Sequence, residues 1–407
     1  MIFDIPEEIS YIISTLEHNG FEAWLVGGCV RDFCMGIKPK DYDICTSARP
    51  EQIAPLFDKT INTGIEHGTV TVVINSYSVE VTTFRIDSDY TDHRRPDFVI
   101  YSGSLTKDLK RRDFSINAMA YHPSRGIMDP YNGRKDIADR IIRTVGDPAE
   151  RFKEDALRML RAIRFISRFN FELEHETKNA IQLLANTIQF VSAERILSEI
   201  NEILLSSNPE AFILLFELGL IPYIIKIPIP SIPDMKLFRK LDKKLSLRWA
   251  ALLWKMDFAG KDIRKICRDF KMSLSLTKEI IGITDILTNP LPASDYNIRL
   301  LMSSAKQNII RDSLSILRNY GIFPGKINEI ERTIDIITKN KHCIHLSDLA
   351  VDGNDLLAFG FPPGKLIGEL LEILLICVLQ KPFLNHRDIL LAFAESISSA
   401  FPYSPSL

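Results

Sequence analysis

At 407 residues, 46% of them hydrophobic and 25% charged, the chain is long enough for about two to four domains and too apolar for a disordered one. A net charge of −2 excludes a uniformly basic nucleic-acid coat. Six cysteines without a C-x-x-C pair argue for reduced thiols over disulfides or structural zinc. With neither a signal-peptide pattern nor an apolar run of roughly 20 residues, they point to the cytoplasm and to no membrane.

In chain order, residues 6–18 read as a helix and 22–27 as a strand, and Gly27 and Gly28 open a short helical piece where bare backbone N–H groups can approach a phosphate. Arg31 follows one turn later. Residues 41–46 read as a second strand, in which Asp41 and Asp43 share one face and offer hard oxygen ligands suited to Mg²⁺ on a triphosphate. After a short helix over Glu51–Phe57, residues 68–75 and 78–85 form a hairpin around Asn75-Ser76. Its second arm alternates, with Val79, Val81 and Thr83 on one face and Glu80 on the other. A strand placed beside 41–46 brings Glu80 to the two aspartates and completes a two-metal arrangement for in-line displacement. The charged segment from Arg85 to Pro96 reads by composition as a mobile loop.

Beyond about Asp139 the pattern becomes almost entirely helical. A helix opening near Asp147-Pro148 carries Glu154, Asp155, Arg158, Arg161 and Arg164, with Leu157, Leu160 and Ile163 as its apolar stripe. Arginines at steps of three repel one another, so this helix profits from an anionic ligand. The apolar, proline-spaced Ile227–Pro233 marks a subdomain joint. Between Lys236 and Lys278, thirteen Lys/Arg stand against four Asp. That excess is an electrostatic footprint for a phosphate backbone, with Lys243, Lys244, Arg248, Arg264 and Lys265 as candidate RNA contacts.

Four segments carry a family resemblance in sequence order: Leu25–Thr46, Arg111–Ala118, Asp129–Gly133 with Asp136, and Arg151–Phe165. Together they resemble the DNA polymerase beta-like nucleotidyltransferases, and more narrowly the class II tRNA nucleotidyltransferases (CCA-adding enzymes) and bacterial poly(A) polymerases. The resemblance implies an α+β fold, with an N-terminal mixed α/β nucleotidyltransferase head over 1–138 and all-helical neck (139–205), body (206–330) and tail (331–407). It implies template-independent addition of C, C and A to the 3′ end of tRNA from CTP and ATP. It also assigns Asp41, Asp43 and Glu80 to catalysis and Gly27, Gly28, Arg31, Arg112, Asn117, Arg161 and Arg164 to the nucleotide.

Asp155 and Arg158 fall, by the same resemblance, to the incoming base. Cytosine and adenine both present an amino donor beside a bare ring nitrogen, which suits an accepting carboxylate and a donating guanidinium; uracil and guanine present the reverse. Retention of the segment at 85–96 speaks against a CC-only enzyme, and Val351–Gly368 resembles the tail segment that holds the tRNA elbow. Two other readings remain open: an A-restricted member (an A-adding enzyme or a poly(A) polymerase), and an inactive RNA-binding or nucleotide-sensing protein. No protein partner is implied.

Overall fold

The apolar runs of the first third pair into one mixed sheet. In the computed structural model, which describes residues 3–64, 68–87 and 99–400, helix α1 (Glu7–His18) leads into β1 (Ala23–Val26), α2 (Gly28–Cys34), β2 (Asp43–Thr46) and the short α3 (Pro50–Ile53). Strands β3 (Thr60–Gly64), β4 (Thr69–Ile74) and β5 (Tyr77–Thr83) follow, then β6 (Arg85–Asp87), β7 (Val99–Tyr101), α4 (Leu105–Lys110), β8 (Ala120–His122) and β9 (Gly126–Met128). Seven of these strands form a sheet in the order β3-β4-β5-β2-β1-β8-β9.

Both faces of the sheet are covered, which is why β1 is buried at every position instead of alternating. On one face Ile9, Ile12, Ile13 and Leu16 of α1 pack with Leu25, Ile44, Val70, Val72, Val79 and Val81. Each such aliphatic side chain contributes about 1.5–3 kcal/mol by leaving water. On the other face Leu105 and Leu109 of α4 cover Trp24, Val26, Cys45 and Phe84. The hairpin expected around Asn75-Ser76 forms, with Asn75 at φ +51° in its turn. The first residues of the segment expected as a mobile loop, Arg85–Asp87, instead form a strand that pairs with Val99–Tyr101 beyond it; the rest of the segment, 88–96, lies outside the described residues.

Helices dominate from Asp139 onward. Exceptions among the described residues are a two-residue parallel pairing of β10 (Ile141–Ile142) with β11 (Glu172–Leu173) and an isolated antiparallel bridge between Thr144 and Phe114. Around them stand α5 (Gly133–Asp139), α6 (Pro148–Glu154), α7 (Leu157–Phe169), α8 (His175–Leu184), α9 (Ala193–Leu205), α10 (Leu214–Glu217) and α11 (Ile221–Ile224). The motif Asp129–Gly133 proves to be scaffold. The Asp129 carboxylate accepts from the N–H groups of Gly133 (2.7 Å) and Arg134 (2.9 Å) at the start of α5, and a Cβ on Gly133 would stand 2.3 Å from the Ser115 carbonyl oxygen.

Two compact units result: Met1–Arg239 with Ile266–Lys271, and Lys240–Lys265 with Met272–Leu407. The second contains α12 (Leu245–Lys255), most of α13 (Gly260–Asp269), α14 (Leu274–Thr288), α15 (Asp295–Ser304), α16 (Gln307–Asn319), α17 (Pro324–Lys339), α18 (Gly353–Phe359), α19 (Lys365–Gln380) and α20 (Arg387–Ala400). No helix among the described residues is long and apolar enough to cross a membrane.

Candidate active site

The turn between β1 and α2 is where the sequence forces backbone and charge together. Gly27 holds φ +73°, and a Cβ there would meet Arg112 Nη1 at 2.9 Å and Asp43 Oδ2 at 3.8 Å. A side chain at this position is therefore strained and blocked at once. At Gly28, φ is not positive and a Cβ would only graze the Arg31 guanidinium at 3.6 Å, so Gly27 is the glycine the turn requires.

Parallel pairing of β2 with β5 sets Asp43 opposite Glu80. Neighbouring strands lie about 4.8 Å apart, so on these two interior strands of the sheet two carboxylates stand side by side and form a carboxylate edge to the site. Burial pushes the Asp43 carboxyl up to about 6; Arg112 pulls it down, while Glu80 and Asp41 push it further up. Asp41 itself lies ahead of the strand, exposed in a bend, which corrects the expectation of a strand over 41–46. Among the described residues no group of three or more His, Cys, Asp or Glu side chains is gathered into a metal cage. The donor chemistry nevertheless fits a hard divalent cation: the edge carries oxygen ligands and more negative charge than its neighbours balance.

Beside this edge lies a cleft of about 280 Å³ lined by Arg111, Arg112, Asp113, Asp155, Leu157, Arg158, Arg161 and Arg195. Arg112 belongs to both places. Its Nη2 donates to Asp108 (3.3 Å), and its Nε is buried without a hydrogen-bond partner among the described residues. Asp113 accepts from Arg161 Nε (2.8 Å) and Nη2 (2.6 Å). Arg158 is anchored by Glu154 and by the carbonyls of Arg151 (3.1 Å) and Arg111 (3.2 Å).

Comparison with known proteins resolves what such a site belongs to. Residues 23–143 match the poly A polymerase head domain model, 170–232 the probable RNA and SrmB-binding site of polymerase A, and 243–394 the putative domain 2 of tRNA nucleotidyltransferases. A CCA-adding enzyme of Leuconostoc mesenteroides is 36% identical over 97% of this chain and 98% of its own length. One of a Geobacillus species is 38% identical over 93% of each. The crystal structure of the Bacillus stearothermophilus CCA-adding enzyme in complex with CTP superimposes with a TM-score of 0.81 at 31% identity, covering 97% of this chain and 98% of that one. The chain belongs to the CCA-adding enzyme family.

Within that family frame the structure corrects several sequence expectations. The helix expected to run from Asp147-Pro148 through Arg164 is broken: α6 ends at Glu154, and Asp155 is extended at φ −145°, ψ 104°. Its carboxylate caps the Leu157 N–H (3.0 Å) and is gripped by Arg195 Nη2 (2.7 Å) and Nη1 (3.3 Å). Asp155 and Arg158 are therefore not an intrahelical ion pair. Leu157, Leu160 and Ile163 do form the buried stripe of α7.

Arg31 and Asn117, expected at the nucleotide, are buried and committed to each other and to neighbours. Arg164 pairs with Glu199 (2.8 Å) and lies over the Phe165 ring instead of lining the cleft. In the second unit Arg248 is 1% exposed and donates to the carbonyls of Leu241 (2.7 Å) and Asp242 (3.1 Å). Lys244 pairs with Asp312 (2.5 Å) and Glu279 (3.7 Å). Arg248 is therefore not presented to a phosphate backbone and Lys244 is half-buried and ion-paired, whereas Lys243, Arg264 and Lys265 are exposed.

The cleft residue that sequence reasoning did not single out is Arg195. It stands in the first turn of α9, 40 positions from Asp155, and no local spacing advertises the contact.

Proposed function

We infer that this protein extends the 3′ end of tRNA by C, C and A, drawing on CTP and ATP and releasing pyrophosphate, in the cytoplasm. The observation that carries the reading is Arg112, which approaches Asp43 at the Gly27 turn and also lines the cleft that holds Asp155 and Arg158. One guanidinium thus joins a carboxylate edge suited to phosphoryl chemistry to a donor–acceptor pair suited to a base.

Asp155 and Arg158 act in this reading as a protein template. The carboxylate accepts from the amino group of C or A and the guanidinium donates to the adjacent ring nitrogen; U and G leave buried polar groups unpaired. Arg112 and Arg161 neutralise the triphosphate. Asp41 and Asp43 are assigned to a divalent cation, read as Mg²⁺, with Glu80 on the same catalytic edge. When bound, one such cation would activate the 3′-hydroxyl and a second would steady the leaving pyrophosphate. We read 1–138 as the head, 139–205 as the neck, 206–330 as the body and 331–407 as the tail. Lys243, Arg264 and Lys265 supply the RNA contacts and Val351–Gly368 the elbow-binding segment.

The deciding experiment offers the purified protein tRNA ending at the discriminator base, and tRNA already ending in CC, with each NTP in turn and with CTP plus ATP. The reading expects CCA on the first and a single A on the second. Addition of A without any addition of C overturns it in favour of an A-restricted enzyme.

A further inference from the structure

A chain of buried polar contacts links the glycine-turn helix α2 to the base-side helix α7. Arg31, 4% exposed, gives its Nε (2.9 Å) and Nη2 (2.6 Å) to Asp32 and its Nη1 to Asn117 Oδ1 (2.6 Å). The same amide then uses its other end, Asn117 Nδ2 donating to Asp113 Oδ1 (3.1 Å). The second oxygen of Asp113 receives the Arg161 fork. Asp32 is also approached from α7 by Arg168 (3.4 Å).

Aromatic rings seal the same path. The Arg31 guanidinium lies 4.8 Å from the Phe169 centroid and 5.4 Å from that of Phe165, and Arg161 lies 5.7 Å from the Phe165 centroid. Phe165 meets Phe114 edge to face at 5.6 Å. Burial alone would raise the Asp113 carboxyl, but Arg161 and the Asn117 amide hold it well below the usual carboxylate range. Every charge in the path has a partner, the condition under which buried charges are tolerable and directional.

The two ends of the path matter chemically. Arg31 sits on the helix that the Gly27 turn opens beside Asp43, and Arg161 sits in the cleft on the helix that carries Arg158. We propose that Arg31, Asn117 and Asp113 are positioning residues: a buried relay that fixes the base-reading helix at one distance from the catalytic carboxylates and so sets both rate and nucleotide choice. The proposal rests on the function inferred above. The relay touches no reacting atom. It acts by holding α7 in register, and displacement of a reacting group by about 1 Å costs on the order of a hundredfold in rate.

Asn117→Ala removes both ends of the central link, and Arg31→Lys keeps the charge and stem but loses the fork. Each is assayed below its own melting temperature for kcat with CTP and with ATP, for kcat/KM with all four NTPs, and for the KM of tRNA. The expected result for both is a fall in kcat on the order of ten- to a hundredfold, weakened discrimination against UTP and GTP, and an unchanged KM for tRNA. A lower melting temperature with wild-type kcat and selectivity in the folded fraction overturns the relay and leaves the function standing. If Asn117→Ala does not fold, Arg31→Lys decides by the same readouts. Wild-type protein that adds neither C nor A overturns the function and the relay together.

Discussion

The two sides of the site are electrostatically unlike. On the β2–β5 edge, Asp43 faces Glu80 and Asp41 with Arg112 as the counterweight, and its carboxyl is pushed up to about 6. Across Arg112, in the cleft, charges are matched within the protein: Asp113 with Arg161, Asp155 with Arg195, Arg158 with Glu154. The edge is built to gain charge compensation from outside, and the cleft is built to hold geometry before anything arrives. On the proposed function, such a division puts reactivity where the protein is unfinished and selectivity where it is finished.

The most severe way to break the contrast is to neutralise the edge. Asp43→Asn should lower nucleotidyl transfer by at least about a thousandfold, roughly 4 kcal/mol, with tRNA affinity nearly unchanged. Residual turnover within tenfold of wild type would remove Asp43 from catalysis.

The same variant sharpens the contrast through stability. A carboxyl raised in the fold from its ordinary 3.8 to about 6 binds its proton more tightly when folded. Its contribution is therefore present below the unfolded value and lost as pH rises through the folded one. In EDTA at pH 7.5, Asp43→Asn should be more stable than wild type by roughly 1–3 kcal/mol, with the difference vanishing near pH 4. Thermal melts at both pH values check it, and a destabilised variant at pH 7.5 would show the edge to be compensated already.

On the finished side, Asp155→Ala should cost about 1–3 kcal/mol in discrimination, ten- to a hundredfold in relative kcat/KM between CTP or ATP and UTP or GTP. Arg195→Ala should move selectivity in the same direction by a smaller factor, because the carboxylate survives but loses its grip. Equal losses for all four nucleotides would make Asp155 a scaffold residue.

The smallest effect is expected in the second unit. Charge reversal of Lys243, Arg264 and Lys265 should raise the KM for tRNA and reduce the slope of log affinity against log salt by about two, leaving the KM for ATP unchanged. Arg248→Ala should instead act on folding, since it strands buried carbonyls at a cost of about 1–3 kcal/mol. A change in salt slope from Arg248→Ala would reverse this assignment.

What sequence could reveal follows from the range of each interaction. Gly27, Asp43 and Glu80 were legible because strand period and a turn signal act over a few residues, and the β2–β5 pairing then sets Asp43 opposite Glu80. The break at Asp155 was hidden because residues 148–164 carry a continuous helical pattern, and the contacts that stabilise the break come from Leu157 N–H and from Arg195, 40 residues away. Arg31 and Arg248 misled for a related reason. An arginine in a basic or glycine-rich context reads as a ligand for phosphate, and only tertiary structure reveals Asp32 and Asn117 around one and the Leu241 and Asp242 carbonyls around the other.

With Asp155 read as a base partner, as proposed, the break there also bears on how base preference can be re-engineered. A side chain rooted within a helix is steered by the whole helix, so altering its aim disturbs everything packed along it. Asp155 hangs from a hinge between α6 and α7, and one of its two tethers, Arg195, belongs to a third helix. Libraries that seek a changed nucleotide repertoire therefore gain an independent handle by randomising the first turn of α9 together with positions 155 and 158, while the buried stripe of α7 is left intact.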